Sequence, residues 1–142
     1  MATDLDKTQS SSGDQQSDGR LILVVEDNEK NARMIVTMLE SAGYKTRLAD
    51  DGHAGLKLAA EIKPDLILTD LQMPGMDGLE MTRALKQRDD LSSIPVLAVT
   101  AHAMEEHRER ALAAGCSRFL TKPIRYKALL SEVADALQPT TS

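Results

Sequence analysis

A chain of 142 residues, 42% hydrophobic and 27% charged, has the size at which one domain buries one core. Its net charge is −5, with 17 Lys and Arg scattered among 22 Asp and Glu and no basic stripe, which argues against a nucleic-acid surface. No apolar run approaches the roughly 20 residues of a membrane span, and the N-terminus is acidic and polar instead of basic then apolar, so a cytoplasmic protein with neither membrane segment nor signal peptide is expected.

Residues 1–19 are rich in Ser, Gln and Asp, with Leu5 as the one branched apolar residue, too little to offset the entropy of ordering; a disordered tail is expected there. From Arg20 onward short apolar runs alternate with amphipathic stretches long enough for a helix each. The runs 21–25, 44–49, 66–69, 96–99 and 119–121 predict strands, the first, third and fourth nearly all apolar, as strands covered on both faces must be. Gly43 and Gly115 stand where helices need a left-handed C-terminal residue, Pro64 stops the second helix, and Asp77-Gly78-Leu79-Glu80 has the spacing of a capping box. The helix over 105–114 carries Leu112 as its one large aliphatic besides Met104 at its edge and is predicted to be the least anchored. A last helix is predicted over 125–137. The result is an α/β fold: a doubly wound, flavodoxin-like sheet of five parallel strands in the order 2-1-3-4-5 with five helices, occupying residues 20–138 and followed by a flexible C-terminus at 139–142. Cys116 is the one cysteine, so no internal disulfide forms, and its small-residue setting reads as a buried side chain.

Glu26 and Asp27 stand at the end of the first strand and Asp70 at the end of the third. In such sheets ligands bind beyond the carboxyl ends of the strands, where the strand order reverses, so the assumed order brings these acids together. Two like charges about 4 Å apart repel by about 4 kcal/mol at an effective dielectric near 20, so the cluster needs a cation or protons. Mg²⁺ suits it, because that ion takes one or two carboxylates along with waters and phosphate oxygens. Acids after strands also serve merely to cap helices, and for Asp27 alone the two readings stand level. At equivalent positions after the fourth and fifth strands come Thr100 and Lys122, a hydroxyl and an ammonium fit to neutralise the oxygens of a transferring phosphoryl group. Each is ordinary by itself; the signal is the coincidence of four strand ends. Pro123 follows Lys122, and an X-Pro bond adopts the cis form cheaply, which would fix the direction of the lysine.

Val24-Val25-Glu26-Asp27-Asn28, Leu68-Thr69-Asp70-Leu71-Gln72-Met73-Pro74-Gly75-Met76-Asp77-Gly78, Val99-Thr100-Ala101 and Thr121-Lys122-Pro123-Ile124, in that order, resemble the response-regulator receiver family, the similarity covering about residues 21–137. The runs 26–31 and 100–104 are most similar to hybrid histidine kinase receivers and DivK-like single-domain regulators. The resemblance implies a two-component phosphorelay receiver: Asp70 the phosphoacceptor, Asp27 a direct Mg²⁺ ligand, Glu26 the second acid of the pocket, Gln72 a ligand through its backbone carbonyl, and Thr100 and Lys122 the phosphoryl-sensing pair. The implied partners are a sensor histidine kinase or a histidine phosphotransfer protein upstream, and downstream a protein that reads the surface of the fourth helix, fifth strand and fifth helix. No nucleic acid or membrane is contacted directly, and the domain is a monomer or weak dimer. It would catalyse its own phosphorylation and slow dephosphorylation instead of turning over a substrate. The switch aromatic of the family, often Tyr, is here Phe119, which has no hydroxyl, so switching with Thr100 would rest on packing.

Other chemistries fit less well. His102 and His107, five apart, do not share a helical face as a zinc pair would, and none of the three histidines has the all-helical setting of a phosphotransfer module. The seven methionines are spread over several helices and read as core. An aspartate-nucleophile phosphatase of the dehalogenase type usually has a second Asp two residues after the nucleophile, where this chain has Gln72. An FMN carrier would need hydroxyl and glycine phosphate contacts where Glu26 and Asp27 stand. The initial Met and short flanks suggest a stand-alone regulator whose output passes through protein contacts.

Overall fold

The computed structural model describes residues 19–73, 75–101 and 105–138; most of the expected tail, the expected flexible C-terminus, Met104 and His102 lie outside the described residues. The elements are β1 (Leu21–Val25), α1 (Glu29–Ser41), β2 (Lys45–Ala49), α2 (Gly52–Ile62), β3 (Leu66–Asp70), α3 (Gly78–Lys86), β4 (Val96–Thr100), α4 (Glu105–Ala114), β5 (Arg118–Thr121) and α5 (Tyr126–Leu137). All strand pairs are parallel and their order is β2-β1-β3-β4-β5, the expected reversal between β1 and β3.

Alternation along the central strands divides the core into two layers. Leu23, Val25, Ile67, Val96 and Ala98 face Ala59, Met81, Leu85 and Ala111 of α2, α3 and α4. Ile22, Val24, Leu66, Leu68, Leu97 and Val99 face Ile35, Leu39, Leu129 and Val133 of α1 and α5. With helices on both faces, β3 and β4 are buried along their whole length. β2 lies at an edge, and its Lys45 and Arg47 keep that edge in water, which discourages pairing with another chain.

The helix boundaries follow from local chemistry. Asn28 and Asp51 accept from the amides of Asn31 and Ala54 at the starts of α1 and α2. Asp77 and Glu80 form the full capping box of α3, at 2.9 and 3.1 Å. Gly43 (φ 97°) and Gly115 (φ 115°) take left-handed backbone after α1 and α4, and α2 ends on Lys63 in the same region, directly before Pro64. Several strand limits differ from expectation. The amide of Tyr44 bonds Leu39 O in the closing turn of α1, so β2 starts at Lys45. β3 and β4 each run one residue further, because Asp70 pairs with Val99 and Thr100 with Thr121. β5 starts at Arg118, which pairs with Leu97. In α4 the sole buried residues are Ala111 and Ala114, and Leu112 is 44% exposed, so even its one large aliphatic adds little to anchoring. Among the described residues no helix is long and apolar enough to cross a membrane.

Candidate functional site

The register of the sheet assembles the site. Val25 lies beside Thr69 on neighbouring parallel strands, so the next residues, Glu26 and Asp70, come out level with each other. Carboxylate oxygens of Glu26, Asp27 and Asp70 all lie within 4.8 Å of one another. Glu26 and Asp70 are buried, whereas Asp27 is exposed on the rim. The cap of α1 is supplied by Asn28 and not by Asp27, which removes the simpler explanation of that acid.

Lys122, two strands away from Asp70, reaches across the end of β4. Its Nζ donates to Asp70 Oδ2 at 3.3 Å and lies 3.6 Å from Glu26 Oε1. Its amide is tied to Thr100 O at 2.8 Å, and the Lys122–Pro123 bond is cis. Asp70 Oδ1 accepts the Gln72 amide at 3.1 Å, and Glu26 Oε2 accepts that of Asn28, also at 3.1 Å. Glu26 Oε1 is buried without a hydrogen bond. Burial, with the Asp70 charge next, pushes the Glu26 carboxyl up to about 6, against the opposing pull of the Asn28 amide and Lys122.

One ammonium cannot balance three carboxylates. With these oxygens no more than 4.8 Å apart and an effective dielectric near 20, each pair of like charges costs about 3.5 kcal/mol or more. Oxygens on opposite sides of a six-coordinate Mg²⁺ stand about 4 Å apart, a spacing these carboxylates can adopt with small adjustments. The donor set, all hard oxygen, and Glu26 Oε1, buried without a hydrogen bond, fit such an ion.

Of the residues singled out by sequence, Glu26, Asp27, Asp70 and Lys122 meet in one cluster. Thr100, buried at the end of β4, and Gln72, exposed beyond Asp70, flank it. Phe119 stands apart: it pairs with Ala98 in β5, packs half-buried against the α2–α4 side of the core, and lines a surface cavity of about 230 Å³ with Arg108, Leu112 and Glu132. Two contacts had no sequence signal of function. The amide of Asn28 holds Glu26, and Gly78 packs so closely on Asp70 O that a methyl group there would lie 2.4 Å from it.

A doubly wound sheet with an acidic cluster and a lysine at its strand ends defines a class, and the sequence falls in it: residues 22–134 match the response regulator receiver domain family, to which the chain belongs. It is thus a receiver domain of two-component signalling. The polar-differentiation response regulator DivK of Brucella anthropi is 46% identical over 103 residues, 72% of this chain and 84% of that protein. Among solved structures, the receiver domain of a sensor histidine kinase from Pseudomonas aeruginosa, with a magnesium ion in its active site cleft, superposes with a TM-score of 0.79 at 34% identity, covering 84% of this chain and 98% of that one. The chemotaxis protein CheY4 of Vibrio cholerae superposes with a TM-score of 0.80 at 28% identity, covering 84% and 99%.

Proposed function

We propose that Asp70 is the phosphoacceptor. Its carboxylate oxygen attacks the phosphorus of a phosphohistidine on a histidine kinase or phosphotransfer protein. The P–N bond breaks, the imidazole leaves with the electron pair, and an aspartyl phosphate remains. The observation that carries this reading is the meeting of three carboxylates and one lysine at the sheet's reversal point, with Glu26 Oε1 ion-paired to Lys122 but accepting no hydrogen bond. Asp27, Asp70 and the backbone carbonyl of Gln72 would hold Mg²⁺, with Glu26 orienting its waters; the ion supplies positive charge to the phosphoryl oxygens. Lys122 and Thr100 receive the remaining oxygens. Lys122, already 3.3 Å from Asp70 Oδ2, is placed to exchange that contact for a phosphoryl oxygen.

The domain is read as catalysing its own phosphorylation and slow dephosphorylation in the cytoplasm. Thr100 moves toward the new group, Phe119 shifts with it, and the face built from α4, β5 and α5 changes for a downstream protein. The weak burial of α4 supports its part in this. Intact-mass measurement with a small acyl phosphate tests the reading: one added phosphoryl group in Mg²⁺ and none after chelation is expected, and metal-independent phosphorylation contradicts it.

A further inference from the structure

We propose that Gly52, at the start of α2, is a positioning residue for the loop after β3 that carries Gln72. The inference rests on the metal reading above. Glu26 and Asp70 are placed by the sheet, and the Leu71 amide still donates to Val99 O of β4 at 3.0 Å, but from Gln72 onward the segment leaves the sheet. Two of its ties are local: the Gln72 amide to Asp70 Oδ1, and the Gly78 amide to Leu71 O at 3.3 Å. Beyond Gln72 a further tie comes from a different element, α2. The amide of Gly52 donates to Met76 O at 3.1 Å.

That contact admits only glycine. A Cβ on Gly52 would lie 2.3 Å from Met76 O and 2.7 Å from Met76 Cγ. The nearer obstacle is backbone, so no side-chain rotation relieves it, and either the loop or α2 must move. Gly55, one turn on, differs: a Cβ there would meet the side chains of Met81 and Val25, a matter of core packing. The turn before α2 is itself held on the other side of the site, since the Glu26 amide donates to Ala49 O at 3.0 Å and Asp51 caps the helix through Ala54. The end of β2 therefore touches the backbone of Glu26, and the start of α2, two residues beyond the turn's first residue, touches the loop carrying Gln72. Together they brace the two halves of the acidic pocket against each other.

The test uses the full chain with Mg²⁺ alone as ligand, titrated calorimetrically, together with melting temperature. A displacement of about 1 Å in such a loop is enough to weaken Mg²⁺ binding about tenfold and to slow phosphorylation by acyl phosphate to match, which is the result expected for Gly52→Ala. Leu58→Ala, in the same helix but packed on the core, is the control. It should lower the melting temperature at least as much yet keep Mg²⁺ affinity within about twofold. Unchanged affinity in Gly52→Ala, or an equal loss in both variants, overturns the proposal. Should Gly52→Ala not fold, the wild type still answers. Coupling is reciprocal, so Mg²⁺ must slow hydrogen exchange at the Gly52 amide, and exchange indifferent to Mg²⁺ overturns the proposal. A wild type that binds no Mg²⁺ refutes the metal reading, and the bracing role falls with it; a wild type that binds, beside a Gly52→Ala that binds equally, refutes the bracing role alone.

Discussion

Glu26→Gln should make the metal-free protein more stable. The carboxyl stands at about 6 in the fold against 4.5 for the unperturbed side chain, because it is buried next to Asp70. At 1.36 kcal/mol per pH unit, that gap makes charged Glu26 cost roughly 2 kcal/mol in neutral or alkaline solution. The sign follows from proton binding. The folded state holds the proton more tightly than the unfolded one, so this contribution favours folding below about pH 4.5 and is lost as pH rises through 6. Gln keeps an oxygen for the Asn28 amide and turns an N–H toward Asp70, while losing the attraction to Lys122. Urea unfolding followed by far-ultraviolet circular dichroism suits a chain without Trp. At about pH 8 with chelator the variant should gain roughly 2 kcal/mol, or about 4–8 °C in Tm, and at about pH 5 much less. Added Mg²⁺ should narrow the difference, since Mg²⁺ at about ten times its Kd stabilises the wild type by about 1.4 kcal/mol. A variant less stable than wild type at about pH 8 without metal, or an advantage independent of pH, would refute the reasoning.

Lys122→Ala should leave Mg²⁺ affinity intact or raise it, because it removes a positive charge 3.3 Å from Asp70; calorimetric loss of all binding in a folded variant would contradict the division of roles. Hydrogen exchange should be fastest, among the helices, in α4, with amides opening roughly tenfold more readily than those of α3, since Ala111 and Ala114 bury little; equal protection would refute this. NMR of wild type and Phe119→Ala, each with and without a bound phosphoryl mimic, should show Phe119 and α4 shifting in the wild type and the α4 response reduced in the variant. Shifts confined to residues touching Asp70 would exclude this route of transmission.

The sheet was legible because β1, β3 and β4 are apolar along nearly all their length, and burial on both faces leaves them no alternative. The capping box at Asp77 and the glycines after α1 and α4 were legible for a local reason: each satisfies backbone groups within a few residues. Tyr44 was misplaced into a strand because its side chain is buried either way, and only a hydrogen bond to Leu39 assigns its backbone to the turn. Within the site, residue type and strand end pointed to Glu26, Asp27, Asp70 and Lys122. The difference between a buried Glu26 and an exposed Asp27 depends on how the chain turns out of β1, and adjacent acids carry no mark of it. Contacts such as Gly52 to Met76 join segments distant in sequence, where a glycine opening a helix looks like any other.

Mapping the phosphorylated residue tests the central claim most directly. Treated with Mg²⁺ and a small acyl phosphate, then reduced to trap the acyl phosphate and digested, the protein should carry the label at Asp70 alone, and Asp70→Asn should carry none. Label at a serine or histidine, or label that persists in a folded Asp70→Asn, would contradict the assignment of Asp70 as phosphoacceptor.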